Sequence, residues 1–100
     1  WVNFDPAIGA EIKKTRPAVI VSNDISNQYS KRVQVIPATS VTKKIYPPEC
    51  LIQIKGKSSK VMADQLMTVS KERLYERMGS VTHNDMLEIE RIILLQLGMT

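Results

Sequence analysis

A single histidine, His83, and a single cysteine, Cys50, limit the chemistry open to this chain of 100 residues. They cannot form a tetrahedral Cys/His zinc site, a disulfide within the chain or a Cys-x-x-Cys redox pair. A nucleophile–histidine relay would have to run through His83 alone. That residue follows an expected helix cap, where the positive end of the helix dipole disfavours imidazolium, and it reads as an exposed first-turn side chain. Cys50 lies between Glu49 and Leu51 with no adjacent cation to lower its pKa, so it reads as an inert thiol. The other candidates interrupt or border apolar runs. Asp64, between Ala63 and Gln65, is either a cleft carboxylate or a structural hydrogen-bond acceptor. Arg16, just ahead of Ala18-Val19-Ile20-Val21, suits a structural ion pair or a phosphate contact. Thr39, in Pro37-Ala38-Thr39-Ser40, is by composition a strand-end hydroxyl. Whatever these residues do must rely on positive charge, a hydroxyl and carboxylates.

The charge is uneven. Residues 1–60 carry ten Lys and Arg against four acids, a net of +6, whereas residues 61–100 carry four against six, a net of −2. A positive half attracts polyanions, although basic pairs at loop ends also serve ordinary solubility. The longest aliphatic stretches, four residues each, are far too short to span a bilayer, and no signal peptide is visible. The chain has no repeat, low-complexity tract or Gly/Ser linker. It reads as one domain over residues 1–100, with a native start expected a few residues before Trp1. A chain of this length buries roughly 60–70% of its unfolded surface, enough for one core.

The elements that must position the candidates follow from pattern. Residues 1–4 read as a strand that sends Trp1 and Phe4 to the core, closed by Asp5-Pro6. Residues 7–15 read as a long exposed loop. Residues 18–21 suit a strand buried on both faces, with Pro17 tolerated at its start. Residues 23–30 are turn-rich, and Val33-Gln34-Val35 begins a strand running into Thr39. Pro47-Pro48 precede a strand through Ile52 and Ile54, turned round by residues 56–59. Residues 61–69 are strand-like with Asp64-Gln65 as an interruption, and Ser70 can cap a short helix over 71–76. The clearest element is the last. Thr82-x-x-Asp85 is a capping-box pattern, Met86, Ile89, Ile93 and Leu97 follow at helical spacing, and Gly98 is a stop. Glu88 and Arg91 share its wet face. Ile92, Leu94 and Leu95 widen the stripe, which implies deeper burial or a subunit contact. The sum is a mainly-β barrel with helical additions.

Three segments resemble the MazF/PemK (Kid-like) family of bacterial toxin endoribonucleases. The first is Asn3-Phe4-Asp5-Pro6-x-x-Gly9-x-Glu11, continued by Arg16-Pro17-Ala18-Val19-Ile20-Val21-Ser22-Asn23-Asp24. The second is Val35-Ile36-Pro37-Ala38-Thr39-Ser40. The third is Ala63-Asp64-Gln65-x-x-Thr68-Val69-x-Lys71-x-Arg73-Leu74. They stand in the family's order and span nearly the whole chain. The resemblance implies an SH3-like β-barrel of the CcdB/PemK type with a short helix and a C-terminal α-helix, usually a homodimer in the bacterial cytoplasm. It implies cleavage of single-stranded RNA without metal or other cofactor, inhibition of translation and growth, and neutralisation by an acidic, partly disordered antitoxin. By motif, Arg16 and Thr39 match the catalytic pair, Glu11 a loop carboxylate important for activity, and Asp64 the acid of the PemK/Kid branch. That branch places an arginine two residues before the acid, where this sequence has Met62, a departure that favours Arg16 and Thr39. Lys13, Lys14, Ser40 and Gln65 are the expected RNA contacts.

Such a histidine-poor ribonuclease is chemically reasonable, because RNA supplies its own nucleophile in the 2′-hydroxyl. Arg16 would stabilise charge on the phosphoryl oxygens and Thr39 would hydrogen-bond the phosphate. Arginine holds its proton too tightly to be an ordinary base, so Glu11 or Asp64 is expected to assist proton transfer. The products would be a 2′,3′-cyclic phosphate and a 5′-hydroxyl. Tyr29 and Tyr46, in expected loops, could stack on bases or merely anchor those loops. Two rival readings are a CcdB-like gyrase poison, which cuts nothing, and an SH3-type peptide adaptor, for which five aromatic residues are too few.

Overall fold

The computed structural model describes residues 1–4 and 15–99. Seven strands and two helices run in the order β1 (Val2–Asn3), β2 (Thr15–Arg16), β3 (Ala18–Ile20), α1 (Asp24–Tyr29), β4 (Arg32–Thr39), β5 (Glu49–Ile54), β6 (Lys57–Met62), β7 (Met67–Ser70) and α2 (His83–Gln96). The organising element is β4. Its alternation serves both faces: Val33 and Val35 enter one apolar cluster with Val2 and Val69, while Ile36 and Ala38 enter another with Val19, Ile52, Val61, Ile89 and Ile92. Strand β3 pairs antiparallel with β4 along one edge. On the other edge β7 pairs with Arg32–Val35 and β6 with Ala38–Thr39. Between these two stretches the chain turns the corner in a 3₁₀ turn, Ala63–Gln65. Sharing one long strand between two partners curls the mainly antiparallel sheet into a half-barrel.

The second cluster is sealed by α2. The Thr82 hydroxyl accepts from the Asp85 N–H at 3.1 Å, the expected N-cap. The reciprocal half of the capping box is replaced by a tertiary contact, because the Asp85 carboxylate accepts from the Gln53 N–H at 3.1 Å and ties the helix to β5. Ile89 and Ile92 are fully buried, Gly98 ends the helix with φ +69°, and Glu88 pairs with Arg91 at 2.7 Å on the wet face. Of the residues that widen the stripe, Ile92 is buried as expected, whereas Leu94 and Leu95 remain exposed, as does Leu97 at the end of the primary stripe.

Several expectations are corrected. Residues 24–29 form a helix rather than a turn-rich loop, capped by Asn23, whose side chain accepts from the Ser26 N–H. Strand β3 lies at the sheet edge and buries only one face: Val19 is inside, Ile20 is 43% exposed. Trp1 is not a core residue. It is 38% exposed, and its carbonyl accepts from the Tyr75 N–H at 2.8 Å, so the backbone rather than the indole fixes the chain start. Phe4 does pack against the first cluster. The β5–β6 hairpin turns at Lys55–Gly56, both with positive φ as a tight two-residue hairpin turn requires, and not over 56–59. The Ser70-capped helix is a single 3₁₀ turn, Lys71–Arg73. The loop expected over residues 7–15 falls, apart from Thr15, outside the described residues.

Candidate active site

The site is set by strand register. Ala18 faces Pro37, and the Ala38 N–H donates to the Pro17 carbonyl at 2.9 Å, which carries the pairing one step beyond β3. Continuing that register brings Arg16 beside Thr39, at the point where β2 touches β4. Residues far apart in sequence are thereby neighbours at the C-terminal end of β4. Arg16 also pairs with Val2 of β1, so its backbone is held from that side too. Its side chain is exposed, and no ion pair or hydrogen bond holds the guanidinium among the described residues. Thr39 is half-buried, and its hydroxyl oxygen accepts from the Val41 N–H at 3.2 Å. That bond fixes the oxygen and leaves the hydroxyl hydrogen available to donate outward.

The same row continues into two further strands. Thr39 pairs with Lys60 of β6, and Lys60 pairs with Leu51 of β5. Directly paired residues share a face of an antiparallel sheet, so Thr39, Lys60 and Leu51 stand together. Sequence reading missed Lys60. It sits in the hairpin arm Lys57-Ser58-Ser59-Lys60, and only cross-strand pairing brings it next to Thr39. Its ammonium lies 3.4 Å from a carboxylate oxygen of Glu49 and donates to the Lys44 carbonyl at 3.2 Å.

The other candidates are distributed differently. Asp64 is exposed in the corner turn, level with the middle of β4 between its β6 and β7 partners, roughly 7–10 Å along the strand from Thr39. No hydrogen bond or ion pair joins it to Arg16 or Thr39 among the described residues. Gln65, beside it, is exposed and donates weakly to the Met62 sulfur at 3.5 Å. Ser40 is exposed and directly follows Thr39. Glu11, Lys13 and Lys14 lie outside the described residues. Of the residues set aside on sequence grounds, His83 is exposed at the start of α2, and Cys50 is buried. Burial, reinforced by the nearby Glu88 carboxylate, pushes the Cys50 thiol from 9.0 to about 11, which suits an inert role. No helix among the described residues is long and apolar enough to cross a membrane.

Comparison with known proteins decides the family. Residues 1–97 match the family model described as PemK-like, MazF-like toxin of type II toxin-antitoxin system. The chain belongs to that family. A curated relative, endoribonuclease MazF9 of Mycobacterium tuberculosis, is 32% identical over 98% of this chain and 91% of its own length. The structure of MazE–MazF from Deinococcus radiodurans superposes with a TM-score of 0.84 at 29% identity, covering 100% of this chain and 91% of the other. A mycobacterial endoribonuclease in complex with its cognate antitoxin gives 0.79 at 26% identity, covering 99% and 91%.

Proposed function

We propose that this PemK/MazF-like toxin is an endoribonuclease that cleaves single-stranded RNA at the Arg16–Thr39 end of β4 and is neutralised by a cognate antitoxin. The observation that carries this reading is the register that sets Arg16, its guanidinium exposed and unpaired among the described residues, next in line to Thr39, whose hydroxyl hydrogen is free to donate. RNA holds its 2′-oxygen next to the scissile phosphorus, so the protein need not supply a nucleophile. As the 2′-oxygen bonds to phosphorus, its proton leaves and the 5′-oxygen departs with a proton, giving a 2′,3′-cyclic phosphate and a 5′-hydroxyl. Arg16 supplies paired N–H donors to the phosphoryl oxygens as negative charge builds there. Thr39 donates to the same phosphate. Arginine holds its proton too firmly to serve as an ordinary base, which leaves proton transfer to a carboxylate, Glu11 or Asp64.

Family membership and an endoribonuclease relative favour cleavage over gyrase poisoning. The net +6 of residues 1–60 fits both an RNA substrate and an acidic antitoxin segment that folds onto the same end of the sheet. A homodimer working in the bacterial cytoplasm completes the reading. Incubating the purified chain with single-stranded RNA in EDTA tests it. Cleavage is expected to give cyclic-phosphate ends, to stop when the nucleotide at the cut site is 2′-deoxy, and to fall about 10²–10³-fold in Arg16→Ala, the usual cost of losing one such donor. Intact RNA together with inhibited gyrase would replace this reading with the alternative.

A further inference from the structure

The Lys60–Glu49 pair is nearly buried, with side chains 12% and 9% exposed, in a domain whose other recorded ion pair among the described residues is an exposed one on α2. A pair withdrawn from water gains little net stability over an apolar replacement, because desolvation offsets the attraction. What distinguishes this pair is what it holds. The Lys60 ammonium reaches the Lys44 carbonyl as well as Glu49. The same Glu49 oxygen accepts from the Tyr46 N–H at 2.9 Å, and the Glu49 N–H donates to the Tyr46 carbonyl at 2.9 Å. The pair itself ties β6 to β5, and the other three bonds all reach one loop, residues 40–48, at Lys44 and Tyr46. That loop leaves the site at Thr39 and returns at Glu49, and its first turn is pinned by the Val41 N–H on the Thr39 hydroxyl. Held so, it presents Lys43, Lys44 and Tyr46 to solvent, the tyrosine 56% exposed. An exposed aromatic ring beside two ammonium groups is the combination that binds single-stranded RNA, the ring stacking on a base and the cations meeting phosphates.

We propose that Lys60 and Glu49 are positioning residues, fixing the 40–48 loop against the Arg16–Thr39 site so that Tyr46 stacks on a base of the bound RNA. This rests on the endoribonuclease reading and deepens it. Lys60 acts through the loop, not on the phosphate, so its removal should weaken substrate binding more than the chemical step.

The test combines steady-state cleavage of a single-stranded RNA oligonucleotide with amide hydrogen exchange on the free protein. Lys60→Met should raise KM about tenfold, near the lower end of the loss of one base-stacking contact, and change kcat by less than about threefold. Tyr46→Ala should raise KM by a similar factor, and adding it to Lys60→Met should raise KM little further, since both remove the same contact. Lys60→Arg, which can still reach both acceptors, should restore KM to within about twofold. In the absence of RNA, Lys60→Met and Glu49→Leu should each speed exchange of the Tyr46 amide while amides of β4 and α2 keep their protection. An unaltered Tyr46 amide in both variants overturns the proposal whatever happens to RNA. So do KM effects of Lys60→Met and Tyr46→Ala that multiply, or a fall confined to kcat. If the wild-type chain leaves RNA intact, the endoribonuclease reading itself fails, and the positioning proposal falls with it.

Discussion

Two adjacent rows of the same three strands meet opposite fates. Ala38, Val61 and Cys50 pair across β4, β6 and β5, and all three are buried beneath α2. One residue along, Thr39, Lys60 and Leu51 pair across the same strands and lie on the other face, where Arg16 joins them. The first row is apolar and closed by a helix whose cap, stripe and stop are all local. The second row, made by the same pairing, mixes a hydroxyl, an ammonium and an aliphatic chain, with Lys60 nearly buried, Thr39 half-buried and Leu51 exposed. The step between them is a single residue, because side chains in a strand alternate faces. Stability and chemistry are therefore separable here although their residues are sequence neighbours, and substitutions should divide accordingly.

The sharpest division is between Ile89 and Arg16. Ile89 is fully buried in the core, and Ile89→Ala should destabilise the fold by about 2–5 kcal/mol in urea titration. Cleavage per folded molecule should change little. Arg16→Ala should do the reverse, leaving the urea midpoint in place, as surface substitutions usually do, while RNA cleavage collapses as stated above. If Arg16→Ala unfolds the protein, the two rows are not independent. A smaller effect probes the second row as a phosphate site. RNA affinity should fall with salt at a log–log slope of about −0.7 per phosphate contacted, or roughly twentyfold between 50 and 200 mM for three contacts. A flat response would remove phosphate binding from the row. Smaller again, Thr82→Ala should cost about 1 kcal/mol through the lost helix cap without altering KM.

Cys50 sharpens the same contrast through pH. Its thiol is held protonated up to about 11 in the fold, first by burial and then by Glu88, with Arg91 partly offsetting. The unfolded chain releases that proton near 9.0, so above pH 9 the unfolded state is favoured and stability should decline as pH rises from 9 towards 11. Cys50→Ala should remove this component from the dependence of Tm on pH. An identical slope in both proteins would show that Cys50 does not carry it.

Local signals were enough where structure is local. Thr82, Gly98 and the spacing of Met86, Ile89 and Ile93 specify α2 from sequence, because a helix forms through contacts within four residues. Val33-Gln34-Val35 likewise marks the start of a strand that runs to Thr39. Short elements were not legible on the same terms. The six residues of α1 carry too little periodicity to outweigh their Asn and Ser content, and Trp1 looks like core until backbone bonds to residues 75 and 76 fix it outside. Arg16, Thr39, Glu11 and Asp64 were nameable through motifs, but their arrangement was not. Residue type and order determined which groups could meet a phosphate, since hydroxyl, guanidinium and carboxylate chemistry belongs to the residues themselves. Only the tertiary structure decided that Arg16 and Thr39 are neighbours, that Asp64 sits in the turn between β6 and β7, and that Lys60 stands beside Thr39. Those relations depend on strand register, which is fixed by hydrogen bonds and packing between segments that sequence alone does not align.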